Sequence, residues 1–294
     1  MRARIVLTAL IAVLAAASNA LAAFPGKNGT IAFRKVTAGF EDIWIISPSG
    51  GKERDVTRTR RIRETEPSFA PNGRAIAFVW SDGSGRHGGI GVVDSDGTRL
   101  RHLTSGVNPD DFYDFPHWTA DGRSIAYLRS HNDANGEPVD ATWSIPANGG
   151  PQGQITPDYT HAAVTSPIGS QLAYLEFNPL GNDFLKLTDE NGANPVTVGG
   201  PPMVTDFSPD GQRFVYAHES KIFTKPVNGE GSPTLVANEG ANDLDPVFSP
   251  DGRFVLWSNE ATHDLWIARS NGRGARNFTH QAGFEKTPSW GRAP

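Results

Sequence analysis

The chain has 294 residues, a formal net charge of −5 and 20% charged residues. This balance argues against a nucleic-acid-binding function, which requires clustered positive charge. The sequence contains no cysteine, which excludes disulfides, thiolate metal sites and cysteine nucleophiles. Its 32 glycines and 22 prolines indicate many turns.

The first 22 residues have the three parts of a secretory signal peptide. Arg2 and Arg4 form a basic start, residues 5–17 are apolar, and Ala20-Leu21-Ala22 is a small-residue cleavage site. The apolar run is shorter than the roughly 20 residues of a membrane-spanning helix, and no later segment approaches that length. We predict cleavage after Ala22 and export to the periplasm or the extracellular space. An uncleaved anchor is the alternative.

From residue 23 to residue 294 the chain consists of repeats. The segment Phe207–Tyr216 (FSPDGQRFVY) is nearly restated by Phe248–Trp257 (FSPDGRFVLW), and earlier copies are more divergent. The aligned glycines lie 41 to 49 residues apart, at positions 29, 73, 122, 169, 211 and 252. A period of this length is typical of β-propeller blades.

Each repeat has the same internal order. An Asp-Gly or Asn-Gly turn, which suits a tight hairpin, precedes a strand of the Ile-Ala-Phe type. A third strand follows, and a second Gly turn then leads into a fourth strand that ends in Val-Thr, Leu-Thr, Ile-Thr or Phe-Thr. Trp44, Trp143 and Trp266 share one column of the third strand, where we expect them to pack between blades. Four short strands per repeat predict an all-β, six-bladed propeller in a single domain, residues 23–294.

The two ends of the chain are predicted to close the ring together. The first repeat lacks its leading strand, and the tail Glu285–Trp290 (EKTPSW) matches Glu64–Phe69 (ETEPSF). The tail therefore supplies the missing strand beside the N-terminal segment. Closure of this kind removes the exposed sheet edges that invite aggregation.

The Pro-Asp-Gly turn, the Ile-Ala-Phe and Asp-Ile-Trp strands and the terminal Leu-Thr together resemble the WD-like repeat of the TolB-type β-propeller family. The resemblance covers residues 23–294. It concerns the propeller of TolB and does not extend to the N-terminal α/β domain that TolB carries. It implies a propeller fold and a scaffold role like that of TolB in the periplasm. Similar repeats occur in the propellers of prolyl oligopeptidase-like peptidases and of oligogalacturonate lyases.

The strand order predicts two unequal faces. The short Gly turns lie on one face, here called the turn face. The longer connections lie on the other, here called the loop face, and loops on a rigid ring commonly carry binding residues. The longest of these are residues 58–66, 81–88, 105–114, 130–140 and 280–286.

Acidic residues recur in the links that lead into the first strands. Glu64, Asp243 and Glu285 each lie three residues before the aligned proline. If the first strands line the axis, these carboxylates ring the mouth of the central channel and suit a divalent cation or a basic or amino-terminal peptide. Alternatively, they are solvated turn residues. Three further acids lie in the same links: Glu66, Asp114 and Asp245.

Two other segments of the loop face suit recognition. The densest basic run comprises Arg58, Arg60, Arg61 and Arg63, and guanidinium groups suit carboxylates or phosphates. Residues 110–115 combine acids with aromatics, including Phe112 and Tyr113, a composition found at interfaces. The alternatives are a solvated basic loop and aromatics that pack at a blade edge.

No nucleophile motif or metal-binding histidine spacing is present, so we predict no catalytic residue, although enzymatic activity stays open. The first hypothesis is a monomeric, non-enzymatic scaffold that binds a protein or peptide partner on its loop face. The second is a glycan-binding or polysaccharide lyase-like protein. No cofactor is expected beyond a divalent cation at the channel mouth.

Overall fold

The computed structural model describes residues 25–83, 87–104, 111–132, 136–176, 184–198, 205–238, 242–280 and 283–294. The predicted signal peptide and its cleavage site after Ala22 lie outside the described residues. Asp110, the first residue of the predicted 110–115 segment, lies outside them as well. The rest forms six four-stranded antiparallel sheets arranged as the blades of a propeller, which confirms the predicted fold. No helix long and apolar enough to cross a membrane occurs in the part of the chain that the structure describes.

The first three blades contain the following strands. Blade 1 comprises β1 (Asn28–Thr37), β2 (Phe40–Ile46), β3 (Arg54–Asp55) and, from the other end of the chain, β24 (Phe284–Arg292). Blade 2 comprises β4 (Ile62–Phe69), β5 (Ala75–Asp82), β6 (Gly88–Asp94) and β7 (Arg101–His102). Blade 3 comprises β8 (Phe112–Trp118), β9 (Ser124–Asn132), β10 (Pro138–Pro146) and β11 (Gly153–Gln154).

The last three blades follow the same order. Blade 4 comprises β12 (Thr160–Thr165), β13 (Gln171–Glu176), β14 (Phe184–Asp189) and β15 (Val196–Thr197). Blade 5 comprises β16 (Asp206–Phe207), β17 (Arg213–His218), β18 (Lys221–Pro226) and β19 (Thr234–Ala237). Blade 6 comprises β20 (Asp243–Phe248), β21 (Phe254–Asn259), β22 (Asp264–Arg269) and β23 (Arg276–Asn277).

The C-terminal strand closes the ring as the sequence predicts. β24 pairs antiparallel with β1, with Trp290 opposite Ile31. The Trp290 indole is 2% exposed and donates to the Gly29 carbonyl at 3.1 Å. The Ser289 hydroxyl accepts a hydrogen bond from the Phe69 amide at 3.0 Å, which ties the closing strand to blade 2 as well.

Adjacent blades are held together by apolar clusters and by a repeated threonine. Phe33 of blade 1 packs with Leu256 and Leu265 of blade 6, and equivalent clusters join the other blades. Trp44, Trp143 and Trp266 are partly buried against three of these clusters, so they do pack between blades. The threonine that ends the fourth strand accepts a hydrogen bond from a third-strand amide at 2.8–3.0 Å in four blades, at Thr57, Thr104, Thr156 and Thr279.

The Gly turns are structural, as their spacing predicts. In the first turns of blades 3, 5 and 6 an aspartate carboxylate accepts hydrogen bonds from the hydroxyl two residues before it and from the amide two residues after it. These aspartates are Asp121, Asp210 and Asp251. In the second turn of blade 4, Gly192 has φ +81°, and a Cβ atom there would lie 1.9 Å from the Ile155 carbonyl oxygen. Only glycine lets this turn pack against the preceding blade.

Candidate functional site

A cavity of about 80 Å³ lies on the axis of the ring. Residues on or just before the first strands of the blades line it, which places these strands innermost. Glu66 and Asp245 supply carboxyl groups to the cavity, whereas Ala163, Val164 and Val247 give it apolar surface. The axial channel is therefore part acidic and part apolar.

A β-bulge in the innermost strands directs these side chains toward the axis. Glu66, Phe115, Asp245 and Thr287 occupy the same position in four blades, and each has a left-handed backbone with φ between 48° and 53°. The pairing of the first two strands shifts register at this point in all four. Such bulges redirect side chains and are frequent beside functional sites.

The structure corrects the predicted role of the three aligned acids. Glu64, Asp243 and Glu285 do not ring the channel, because their side chains turn into the junctions between blades, and the bulge two residues later interrupts the alternation of the strand. They are 0%, 0% and 1% exposed, respectively. The channel instead receives the residues two positions later, Glu66 and Asp245.

At the channel mouth, Glu66 of blade 2 and Asp114 of blade 3 form a carboxyl pair. Burial and the neighbouring Asp114 carboxylate raise the pKa of Glu66 well above its usual range. Burial also raises the pKa of Asp114. The hydrogen bond with Glu66 lowers this pKa, and the charge of Asp140 raises it. A Glu66 carboxyl oxygen accepts a hydrogen bond from the Phe115 amide at 2.6 Å. The pair therefore favours a shared proton over two negative charges.

Other polar groups surround this pair. Asp140 lies 3.0 Å from His161 Nδ1, which brings blades 3 and 4 together at the mouth. Burial raises the pKa of Asp245, against the lowering effect of Lys286. Burial lowers the pKa of His117, another cavity residue, to about 4, so this imidazole is neutral at pH 7.

A groove of about 250 Å³ on the loop face crosses blades 1 to 3. Four of the predicted site residues line it: Arg63, Phe112, Tyr113 and Asp114. Arg63 donates to Glu41 at 2.5 Å, and Arg34 lies 3.6 Å from the other oxygen of the same carboxylate. Two guanidinium groups thus share one carboxylate, which leaves this wall of the groove positive.

The two predicted aromatics have different environments. Phe112 is 59% exposed at the groove. Tyr113 is 4% exposed and packs in the cluster between blades 2 and 3, with its ring 5.9 Å from that of Tyr127. Phe112 is therefore available to a ligand, whereas Tyr113 is a core residue, as the alternative interpretation expects.

The basic run that leads into β4 presents its arginines to solvent. Arg58, Arg60, Arg61 and Arg63 are all exposed. Arg58 donates to the Asp55 carbonyl at 3.2 Å, and Arg63 pairs with Glu41. In the described ranges no ion pair or hydrogen bond occupies the guanidinium of Arg60 or Arg61.

Sequence reasoning missed several residues of this site. His117, Asp140 and His161 reach the mouth from blades 3 and 4, and Arg34 and Glu41 reach the groove from blade 1. The repeat alignment does carry one signal, because Glu41 and Asp140 both lie three residues before an aligned third-strand tryptophan, Trp44 and Trp143. No group of three or more His, Asp or Glu side chains placed to hold a metal ion occurs within the described residues.

Sequence comparison finds distant relatives, and no family model matches the chain. An uncharacterized protein of Agrobacterium fabrum, Atu1656, is 24% identical over 63% of the chain. The uncharacterized peptidase YuxL of Bacillus subtilis is 23% identical over 77% of the chain. The chain spans 64% of the length of the first relative and 27% of the second.

Structural comparison shows the TolB-like propeller fold. TolB from Acinetobacter baumannii superposes with a TM-score of 0.74 and 19% identity, covering 92% of this chain and 68% of TolB. A TolB homologue from Agrobacterium tumefaciens superposes with a TM-score of 0.59 and 16% identity. The match covers 91% of this chain and 99% of the homologue. An oligogalacturonate lyase in complex with manganese superposes with a TM-score of 0.58 and 13% identity. The match covers 86% of this chain and 76% of the lyase. At these identities the likeness concerns the fold.

Proposed function

We propose that the chain is an exported, non-enzymatic scaffold whose loop face binds a protein or peptide partner. The observation that carries this proposal is the groove of about 250 Å³, to which three blades contribute and in which Phe112 and Arg63 are solvent-exposed. An exposed aromatic beside an arginine is characteristic of protein interfaces. The TolB-like fold supports the proposal, because TolB is a periplasmic scaffold.

Affinity capture tests this function. The chain from Ala23 onward is incubated with envelope and secreted fractions, and bound proteins and glycans are identified by mass spectrometry. The loop-face variant combines Phe112→Ser with Arg63→Ser. The matched turn-face control combines Ile168→Ser with Arg123→Ser, two exposed residues of the first turns of blades 4 and 3.

We expect a protein that the wild type and the turn-face control enrich and that the loop-face variant loses. Equal capture by all three forms would remove the loop face as the site. Capture of glycan alone would favour a glycan-binding protein, for which exposed arginines beside an aromatic are also suited.

A further inference from the structure

The arginines on the loop face differ in how far their charge is already satisfied. Arg129 pairs with Asp111 at 2.7 Å, and Arg63 shares Glu41 with Arg34. Arg60 and Arg61, by contrast, are exposed, and within the described residues no acceptor holds their guanidinium groups. These two side chains can bind an external anion without breaking an internal ion pair.

The acids beside the groove are mostly engaged. Asp111 is 1% exposed in its ion pair with Arg129, and Asp114 hydrogen-bonds with Glu66. Phe112, which lies between these two acids in sequence, is 59% exposed. The accessible chemistry of the groove is therefore an aromatic ring close to the positive wall formed by Arg34 and Arg63.

The surroundings limit the size of an anion that fits here. The channel mouth beside the groove carries Glu66, Asp114 and Asp245, and the chain as a whole has a net charge of −5. A long polyanion that extends beyond the arginines would find acids there instead of further cations, and the net negative charge of the protein would oppose its binding. A short acidic stretch with an apolar side chain matches both the arginines and Phe112.

We infer that the loop face of blades 1 to 3 binds a short extended peptide segment that carries acidic residues and one apolar side chain. Arg60 and Arg61, which precede the groove residue Arg63 along the chain, pair with its carboxylates, and Phe112 inside the groove packs against its apolar residue. This inference rests on the proposed function, since it names the chemistry of the partner at the same face.

The test uses a fluorescein-labelled peptide with four acidic residues around one leucine, and fluorescence anisotropy at low and physiological salt. The matched probes replace the acids by lysines, or the leucine by serine. The protein variants are Arg60→Ala with Arg61→Ala, Phe112→Ser, and the turn-face control Arg123→Ala, whose side chain is 87% exposed. Circular dichroism verifies that each exposed-site variant folds.

We expect the double arginine variant to bind the acidic probe about tenfold more weakly, since it loses two exposed charge pairs. Arg123→Ala should bind like the wild type. Phe112→Ser should weaken binding of the leucine probe and leave the serine probe unchanged, and higher salt should weaken all binding of the acidic probes.

Several results would overturn the inference: no binding of the acidic probe, a preference for the lysine probe, or equal binding by the double arginine variant. Arginine-dependent binding of polygalacturonate without binding of the peptide would assign the arginines to a glycan instead. A partner captured in the previous experiment whose binding survives Arg60→Ala with Arg61→Ala would leave the scaffold function standing and remove this inference alone.

Discussion

Two junctions between blades place a glutamate at the same register position but treat its charge differently. Between blades 6 and 1, Glu285 pairs across the strands with Lys35, whose ammonium lies 2.8 Å from the carboxylate. Between blades 1 and 2, Glu64 faces Trp80 instead. Neither oxygen of Glu64 meets hydrogen-bond geometry with another described residue.

The pKa values follow from these partners. Burial raises the pKa of Glu64 to about 8, and the hydroxyls of Thr57 and Thr59 offset only part of that effect. Burial also raises the pKa of Glu285, to about 7, against the lowering effect of Lys35. Burial alone would lower the pKa of Lys35, but hydrogen bonds to Glu285 and Glu53 raise it. One junction thus gives its buried glutamate a cationic partner, and the other holds a carboxyl group without one, which is mostly neutral at pH 7.

A third junction gives another solution. Asp243, between blades 5 and 6, accepts hydrogen bonds from the Trp257 indole and the Asn259 amide, both at 2.8 Å. The residue opposite the acid on the second strand therefore decides whether its charge is compensated. The uncompensated junction also borders the candidate groove, because Trp80 lines that groove and Arg63 precedes Glu64. Features that cost stability commonly lie near functional sites.

The largest expected effect comes from the compensated junction. Lys35→Met leaves Glu285 and Glu53 buried without their cation, and we expect a loss of about 3–5 kcal/mol in the free energy of unfolding at pH 7. Urea denaturation measures this loss. The control is Lys286→Met, which breaks the more exposed pair with Glu260 and should cost about 1 kcal/mol or less. Equal losses in the two variants would contradict a buried ion pair at this junction.

The uncompensated junction should respond in the opposite direction. The folded-state pKa of Glu64 is raised, so the wild type loses stability as pH rises from about 4.5 to about 8. Glu64→Gln removes that loss. It should be more stable than the wild type by on the order of 4 kcal/mol at pH 9, while the two proteins converge toward pH 4.5.

Urea denaturation of both proteins between pH 4.5 and pH 9 measures this divergence. Glu285→Gln serves as the matched variant. The pKa of Glu285 is raised less, to about 7, and the variant also loses the contact with Lys35, so its gain in stability at pH 9 should be smaller than that of Glu64→Gln. A constant difference between wild type and Glu64→Gln across this range would show that Glu64 does not titrate in the folded protein.

The smallest effect compares the two junction threonines. Thr57 accepts a hydrogen bond from a third-strand amide at 3.0 Å and Thr104 accepts the equivalent bond at 2.8 Å, so Thr57→Val and Thr104→Val should each cost about 1 kcal/mol at pH 5. At pH 9 the loss in Thr57→Val should grow, since its hydroxyl also lowers the pKa of Glu64. Thermal unfolding at both pH values detects the difference. A pH-independent loss in both variants would place Thr57 outside the environment of Glu64.

The fold could be predicted from the sequence because each repeat carries its own turn and strand patterns. The tail Glu285–Trp290 matches the first strand of another repeat, which predicts the strand that blade 1 lacks. The candidate site follows less completely. Simple alternation cannot locate the bulge at Glu66, Phe115, Asp245 and Thr287, so the acids expected at the channel lie in the junctions. The separation of Phe112 from Tyr113 depends on which neighbour faces the next blade, and the partners of Arg63 come from another blade.

Site-specific photocrosslinking tests the central claim, that the loop face is the binding surface, most directly. Phe112→p-benzoylphenylalanine places the probe on the loop face, and Ile168→p-benzoylphenylalanine places it on the turn face at another exposed apolar residue, 37% exposed. Irradiation in the envelope and secreted fractions, followed by mass spectrometry, identifies adducts. We expect a protein adduct from position 112 and none from position 168. An adduct from position 168 alone, or equal adducts from both, would contradict the assignment of function to the loop face.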